Sequence, residues 1–451
     1  MSRSCPTLTT LGITVLDESA LFEVTYSGVP NVASFQRDSL VTAGGHQYTA
    51  WYGSDRGVRL SRRAVEGYAV GPWQTFAFDH DLSAVDSHNT ISLGVSRGDG
   101  RLHVAMDTHD TPVYYTVSHP HLVDGAAPWG RESFAVVQRT LGGVDLGGIS
   151  YPQFVGTPAG GLLLSYRTGH SGGGVCELAE YDPTQSKWTT RGAWTGSTGR
   201  YVAPNGRTNH TRNAYLHGLD LDRNGRLHAA FTWRESARGG TVLSDPGGLA
   251  NHDTGYVYSD DLGSTWYTDG GELAARTGGD LVVSWGTPGH VVDALGPDHA
   301  LINQESQAVD SAGRPHVMIS YVPPQTRPVV SDFVTQRRDH ARPVHLVRVA
   351  HTWQRTELGV QSGRFGRTQL VIAEDDTAYA VLPDGRVAAA SAAANWLDWS
   401  IVFDGAGVDS FTECTVDRSR LRSGVLSVMF QEPGQEAGRS PLRVIDLAVG
   451  A

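Results

Sequence analysis

One short pattern recurs along the chain and limits what it can fold into: a Gly, Asp or Ser turn followed by an apolar run of strand-forming residues. The copies are GHQYTAWY from Gly45, GRLHVAMD from Gly100, GGLLLSYR from Gly160, GRLHAAFT from Gly225, GRPHVMIS from Gly313, DTAYAVLP from Asp376 and SGVLSVMF from Ser423. Several follow another alternating strand, as in TISLGVSRGDGR and LDLDRNGR, so the repeated unit reads as a β-hairpin. A lone hairpin buries too little apolar surface to be stable. Seven copies, roughly 45 to 90 residues apart, fit four-stranded sheets joined by loops of varying length. Radial repetition of such sheets gives an all-β, seven-bladed β-propeller, expected as one domain over residues 1–451. Helical periodicity is nearly absent, which argues against a doubly wound α/β fold. The 54 glycines agree with a turn-rich β chain.

A second sign is independent of the hairpins. SDDLGSTW, Ser259 to Trp266, fits the Asp-box pattern S-x-D-x-G-x-T-W of sialidase-type propellers. Its expected role is structural: Asp261 and Trp266 fix a turn on the outside of a blade.

Charge and cysteine content narrow the function classes. The net charge is -11, from 36 basic and 47 acidic residues, so a nucleic acid is excluded as partner, since phosphate binding needs a basic surface. Any anionic substrate must be gripped by local arginines. Cys5, Cys176 and Cys414 form no C-x-x-C pair and are expected to be inert thiols. The first 20 residues carry no apolar signal core, and no segment approaches a membrane span. The chain is expected to be soluble and off the membrane: cytoplasmic, or secreted with a leader removed. Nothing marks an oligomer, and a monomer is expected.

In hairpin blades, first-strand starts and second-strand ends point to one face of the ring. The starts carry His88 and Asn89, Tyr151 in SYPQF, Tyr215 in RNAYL, and Asn303 and Gln304 in INQES; the ends carry His109, Arg167 and Arg234. His88 and His109 flank one hairpin and are expected to meet. A glycosidase needs two carboxylic acids about the scissile bond, whereas this set offers His, Tyr, Arg and Asn. Such groups suit β-elimination at a uronate: Arg clamps the carboxylate and acidifies C5, while His and Tyr take and give the protons. His103, His228 and His316 recur at an internal hairpin position and are expected to be structural. A zinc site on His88 and His109 lacks a third ligand at familiar spacing.

DSHNTISLGV…DGRLHVAMDTHD, YPQF…GGLLLSYRTGHSGGG, NAYLHGLDLDRNGRLHAAFTWRE, YVYSDDLGSTW and INQESQAVDSAGRPHV together resemble successive blades of the sialidase-repeat (BNR) polysaccharide lyases. These include ulvan lyases and the rhamnosyl-glucuronate lyases that act on gum arabic and arabinogalactan. The resemblance implies a seven-bladed propeller that breaks an L-rhamnosyl-α-1,4-D-glucuronate linkage and leaves a 4,5-unsaturated uronate. It implies that His88, His109 and Tyr151 are catalytic and that Arg167 neutralises the carboxylate. Asn89, Tyr215, Arg234, Asn303 and Gln304 are expected to bind the acidic rhamnose-containing glycan. No cofactor is required for that chemistry, although carboxylates such as Asp107 and Glu305 permit a structural calcium ion. The acidic chain favours a non-sulfated glycan over a long sulfated one. An α-L-rhamnosidase-type hydrolase and a non-catalytic glycan-binding propeller are the competing readings of the same fold.

Overall fold

A computed structural model describes residues 6–35, 38–236, 250–327, 329–434 and 438–450; Cys5 lies outside them. The architecture is an all-β propeller, and among the described residues the strands form seven sheets. The chain divides into two compact units: residues 1–164, 180–189 and 371–451 in the first, and 165–179 and 190–370 in the second.

In the first unit, strand Thr7–Leu21 pairs antiparallel with Arg439–Gly450, which continues to Val425–Gln431 and Cys414–Val416. This closing sheet is fastened by buried charge. Arg63, from strand Gly57–Glu66, reaches both oxygens of Asp446 at 2.9 and 2.8 Å and Gln47 at 2.8 Å. Arg420 binds the same carboxylate at 3.1 Å and the Ser427 hydroxyl donates to it at 2.6 Å. A buried acid between two buried guanidinium groups is tolerated because both its oxygens accept hydrogen bonds, most of them from charged donors. Apolar residues from neighbouring sheets fill the space between them, among them Tyr48, Leu60, Leu93, Val104 and Met106.

The blade count departs from the expected seven. Six sheets carry four or more strands; the remaining one, Ser92–Ser96, Arg101–Met106 and Tyr114–Val117, has three. Its fourth position is taken by a segment that touches the edge at only two bridges, Tyr115↔Gln138 and Ser118↔Phe134. Three steps on one side face four on the other, and the extra residue breaks the ladder as a bulge does.

The recurring histidines are structural, as expected. His103 bonds the Tyr115 hydroxyl at 2.6 Å, His228 that of Tyr256 at 2.7 Å, and His316 the His345 ring at 2.9 Å, all buried. Burial, aided by Arg101, pushes the His103 imidazole down to about 3, so it is a neutral cross-strand tie. In the second unit the Asp-box is also a turn. Asp261 accepts from the Ser259 hydroxyl and the Thr265 amide, both at 2.7 Å, and Trp266 stacks on Trp194 at 4.2 Å. Cys176 and Cys414 are free and buried, and desolvation pushes both thiols up to about 12. Among the described residues no helix is long and apolar enough to cross a membrane.

Candidate active site

The sequence Asp86-Ser87-His88 forms a tight turn before strand Ser92–Ser96. The Asp86 side chain accepts the His88 amide at 2.9 Å, and its carbonyl accepts the Asn89 amide at 3.0 Å. This is the local Asp turn that short acidic side chains favour. It aims the carboxylate at two rings: Asp86 Oδ1 meets His88 Nδ1 at 2.5 Å, and Oδ2 meets His109 Nδ1 at 2.8 Å. The imidazoles stack with centroids 4.4 Å apart and planes 21° from parallel.

His109 reaches this place by a route that the hairpin pattern did not disclose. Strand Arg101–Met106 stops before it, Asp107 turns with φ 51°, and His109–Thr111 pairs with Ile149–Gly156 in the next sheet. His109 therefore sits opposite Ser150, next to Tyr151, and the Tyr151 hydroxyl lies 3.3 Å from His109 Nε2. Asp110 and Tyr151 also have positive φ, 53° and 58°. A tyrosine there is a costly backbone outlier, of the kind found where a side chain must be aimed. The kink is anchored below: Asp107 accepts from the Ser83 amide at 2.8 Å and meets His80 Nε2 at 3.1 Å, while the Asp110 amide donates to the Ser150 hydroxyl at 2.8 Å. Phe35 packs on His88 at 5.7 Å and Tyr151 at 5.3 Å, forming an apolar wall.

Burial alone would raise the Asp86 carboxyl, but hydrogen bonds from His109 and His88 hold it well below the usual carboxylate range. An ionised carboxylate only accepts, so both Nδ1 atoms are donors. In a neutral imidazole this leaves the lone pair on Nε2, which in His109 faces the Tyr151 hydroxyl. Asp86, His109 and Tyr151 thus form a continuous hydrogen-bonded chain, with the acid fixing the tautomer of the imidazole. The same three groups, Asp86, His88 and His109, present ligand atoms within 4.8 Å of one another and could hold a metal ion. Binding through Nδ1 would need lone pairs in place of the Nδ1–H donors.

Asn89 is turned inward: its amide donates to the Ala84 carbonyl at 3.2 Å, its own carbonyl accepts from Tyr52 at 2.6 Å, and it is 2% exposed. Its side-chain NH2 braces the turn, while its side-chain oxygen is buried without a hydrogen bond among the described residues.

In the second unit, Arg167 at the end of Leu162–Thr168 is buried and donates to the Tyr215 hydroxyl at 3.2 Å. That hydroxyl donates to Ser171 at 3.1 Å, to which Arg234 Nε also donates at 2.9 Å. Tyr215 is not at a strand start but inside Thr208–Leu221, opposite Thr232. Asn303 is committed to the protein: it donates to Asn251 at 3.2 Å and accepts from Arg367 at 3.3 Å. Gln304 is buried with φ 53°. Glu305 accepts from Thr368 and Ser320 at 2.9 and 3.0 Å, so both its oxygens already have protein donors. Sequence reasoning named the histidines and tyrosines but missed Asp86, Phe35 and Ser171. Only Asp86 had a signal, the Asp-x-His spacing of an Asp turn.

An all-β propeller carrying an aspartate-held histidine pair beside a tyrosine is the class that fold and site define. The chain belongs to the BNR repeat-containing family, whose pattern matches residues 46–360. It is similar to an ulvan lyase, long isoform, of Alteromonas sp, 28% identical over an alignment of 206 positions that covers 36% of this chain and 20% of that protein. The match thus spans about a fifth of that curated relative. Among solved structures, polysaccharide lyase Uly1 superposes with a TM-score of 0.69 at 18% identity, covering 98% of this chain and 99% of that one. A PL25 ulvan lyase bound to -[GlcA(1-4)Rha3S]- gives a TM-score of 0.63 at 12% identity over 97% and 95%. At these identities the solved structures speak for the propeller fold.

Proposed function

We propose that the chain is a polysaccharide lyase that breaks the L-rhamnosyl-α-1,4-D-glucuronate bond by β-elimination. The observation that carries this reading is the Asp86–His109–Tyr151 relay with His88 stacked beside it. A neutral imidazole with its lone pair on Nε2, hydrogen-bonded to a phenol, is a base and an acid in one contact. The C5 proton of the uronate goes to one member of the pair. The C4–O4 bond then breaks, the C5 electrons form the C4=C5 double bond, and the departing rhamnosyl oxygen takes a proton from the other. Arg167 is given the task of neutralising the uronate carboxylate, because a guanidinium pairs with both its oxygens. The named relatives support the ulvan type as the first glycan to test, while gum arabic and arabinogalactan termini share the same bond.

Ultraviolet absorbance of the conjugated unsaturated uronate is the test, read over a panel of ulvan, gum arabic and arabinogalactan. Elimination produces that chromophore; new reducing ends without it would mark a hydrolase, and binding without either would mark a lectin. Arg167→Lys keeps the charge but loses the paired geometry, and is expected to lower kcat by about a hundredfold or more. Near-normal turnover would remove Arg167 from the mechanism.

A further inference from the structure

We propose that the groove between the paired strands Gly57–Glu66 and Gln74–Asp81 on one side and the loop at Trp129 on the other is a second, non-catalytic site that grips an acidic sugar residue of the polysaccharide. The proposal rests on the glycan reading above but on different residues. The groove is lined by Arg62, Gln74, Thr75, Phe76, Trp129 and Gly130 and has a volume of about 400 Å³.

Strand Gly57–Glu66 carries three arginines close together, and their fates differ. Arg59 pairs with Asp55 at 2.5 Å and Arg63 with Asp446 at 2.8 Å, whereas Arg62 meets no carboxylate among the described residues. In a chain where acids outnumber bases 47 to 36, a guanidinium without an acid is a feature to explain. Arg62 is also held still. Its Nε donates to Gln74 Oε1 at 3.1 Å and its charge lies 4.8 Å from the Trp129 ring centre. Trp129 is fixed in turn by its Nε1–H on the Gln74 carbonyl at 2.9 Å and by edge contacts with Phe76 at 5.1 Å and Tyr48 at 5.8 Å. Glu132, the nearby acid, folds back over Gly130, where an added side chain would strike its carboxylate.

The lining therefore offers an aromatic surface for a sugar face, a stacked cation, and amide and hydroxyl groups; the acid beside it is Glu132, whose carboxylate lies against Gly130 at one end. That set matches a uronate or a sulfated sugar, which share a ring and an anionic oxygen pair or trio; a neutral sugar leaves Arg62 unused. Immobilised aromatic and guanidinium groups lose little entropy on binding. The groove opens at Gln74, paired with Arg62, and Asp81 is paired with Gly57, five residues or about 17 Å along the partner strand and toward the Asp86 turn. A glycan gripped here engages the protein well away from the histidines, so the groove tethers the polymer.

Affinity electrophoresis of the full chain through gels containing ulvan, gum arabic or neutral dextran tests this. Wild-type protein is expected to be retarded by both acidic polymers and not by dextran. Arg62→Gln and Trp129→Ala are each expected to weaken that retardation by about tenfold. Loss on ulvan alone assigns the anion to the sulfate; loss on both assigns it to the uronate. Melting curves accompany each variant, because a clamp that serves only the fold would lower Tm and leave retardation unchanged. Unchanged retardation of Arg62→Gln overturns the proposal. A wild-type protein that is retarded but yields no unsaturated product overturns the lyase reading and leaves the groove standing.

Discussion

Replacing Asp86 by asparagine tests the relay with almost no change of shape. Aspartate accepts two Nδ1–H bonds, from His88 at 2.5 Å and His109 at 2.8 Å. Asparagine keeps one acceptor oxygen and presents an NH2 donor where the other stood. One imidazole retains its bond; the other faces a donor and must move its proton from Nδ1 to Nε2, which in His109 removes the lone pair that the proposed elimination uses. The loss is one charge-assisted hydrogen bond, about 1.5–3 kcal/mol. By the rule of about 1.4 kcal/mol per decade, this lowers the population of the working tautomer by a factor of about 10 to 150. Asp86→Asn is therefore expected to reduce kcat by about a hundredfold with KM little changed and Tm near that of the wild type. Initial rates of unsaturated-uronate formation give the split, and nitrogen NMR of labelled histidine reports which ring nitrogen carries the proton. A kcat within a factor of about three of the wild type would refute the assignment of Asp86 as the residue that fixes the base, since loss of a working base costs far more.

Tyr151→Phe keeps the ring against Phe35 and removes only the hydroxyl at His109, so kcat is expected to fall by about a hundredfold at unchanged Tm; full activity would make Tyr151 a wall. Asp446→Asn leaves Arg63 and Arg420 buried without their shared countercharge and is expected to cost about 3–5 kcal/mol, read as a lowered unfolding midpoint; an unshifted midpoint would remove the closing-sheet ion network from the stability account. In the second unit, burial opposes the charge on His252, but the hydrogen bonds that it donates to Asp253 and Glu235 outweigh it and raise its pKa. A raised folded pKa stabilises fully below the unfolded value near 6.5 and less as pH climbs through the folded value, so the Tm advantage of wild type over His252→Gln should shrink from about pH 6.5 upward. A difference that is flat with pH would mean that His252 is neutral there.

Much of the fold was legible because its signal is local. The turn-plus-apolar-run pattern has period two and marks hairpins wherever they occur, and the Asp-box prints its own hydrogen bonds in the sequence. The incomplete sheet was not legible: one surplus residue between Phe134 and Gln138 breaks a ladder without changing the hydrophobic pattern. The meeting of His88 and His109 was legible from hairpin geometry, yet for an incomplete reason. What joins the rings is Asp86 and a strand that leaves one sheet for the next, and a crossing of that sort depends on backbone angles at Asp107, Asp110 and Tyr151 that residue type does not announce. Asn303 shows the converse: a polar side chain expected at a site is as readily engaged at both ends by the network around it.

The closing sheet has a consequence for how the molecule is made. Strand Thr7–Leu21 takes as its neighbour Arg439–Gly450, more than four hundred residues later in the chain, and fifteen residues of strand wait for that partner. Until it emerges, Leu11, Ile13 and Val15 lie on an unpaired edge that can recruit any other strand, including the same one in a second nascent chain. The rate of productive folding is then governed by closing one very long loop, and chains arrested before Arg439 are expected to aggregate through their first strand.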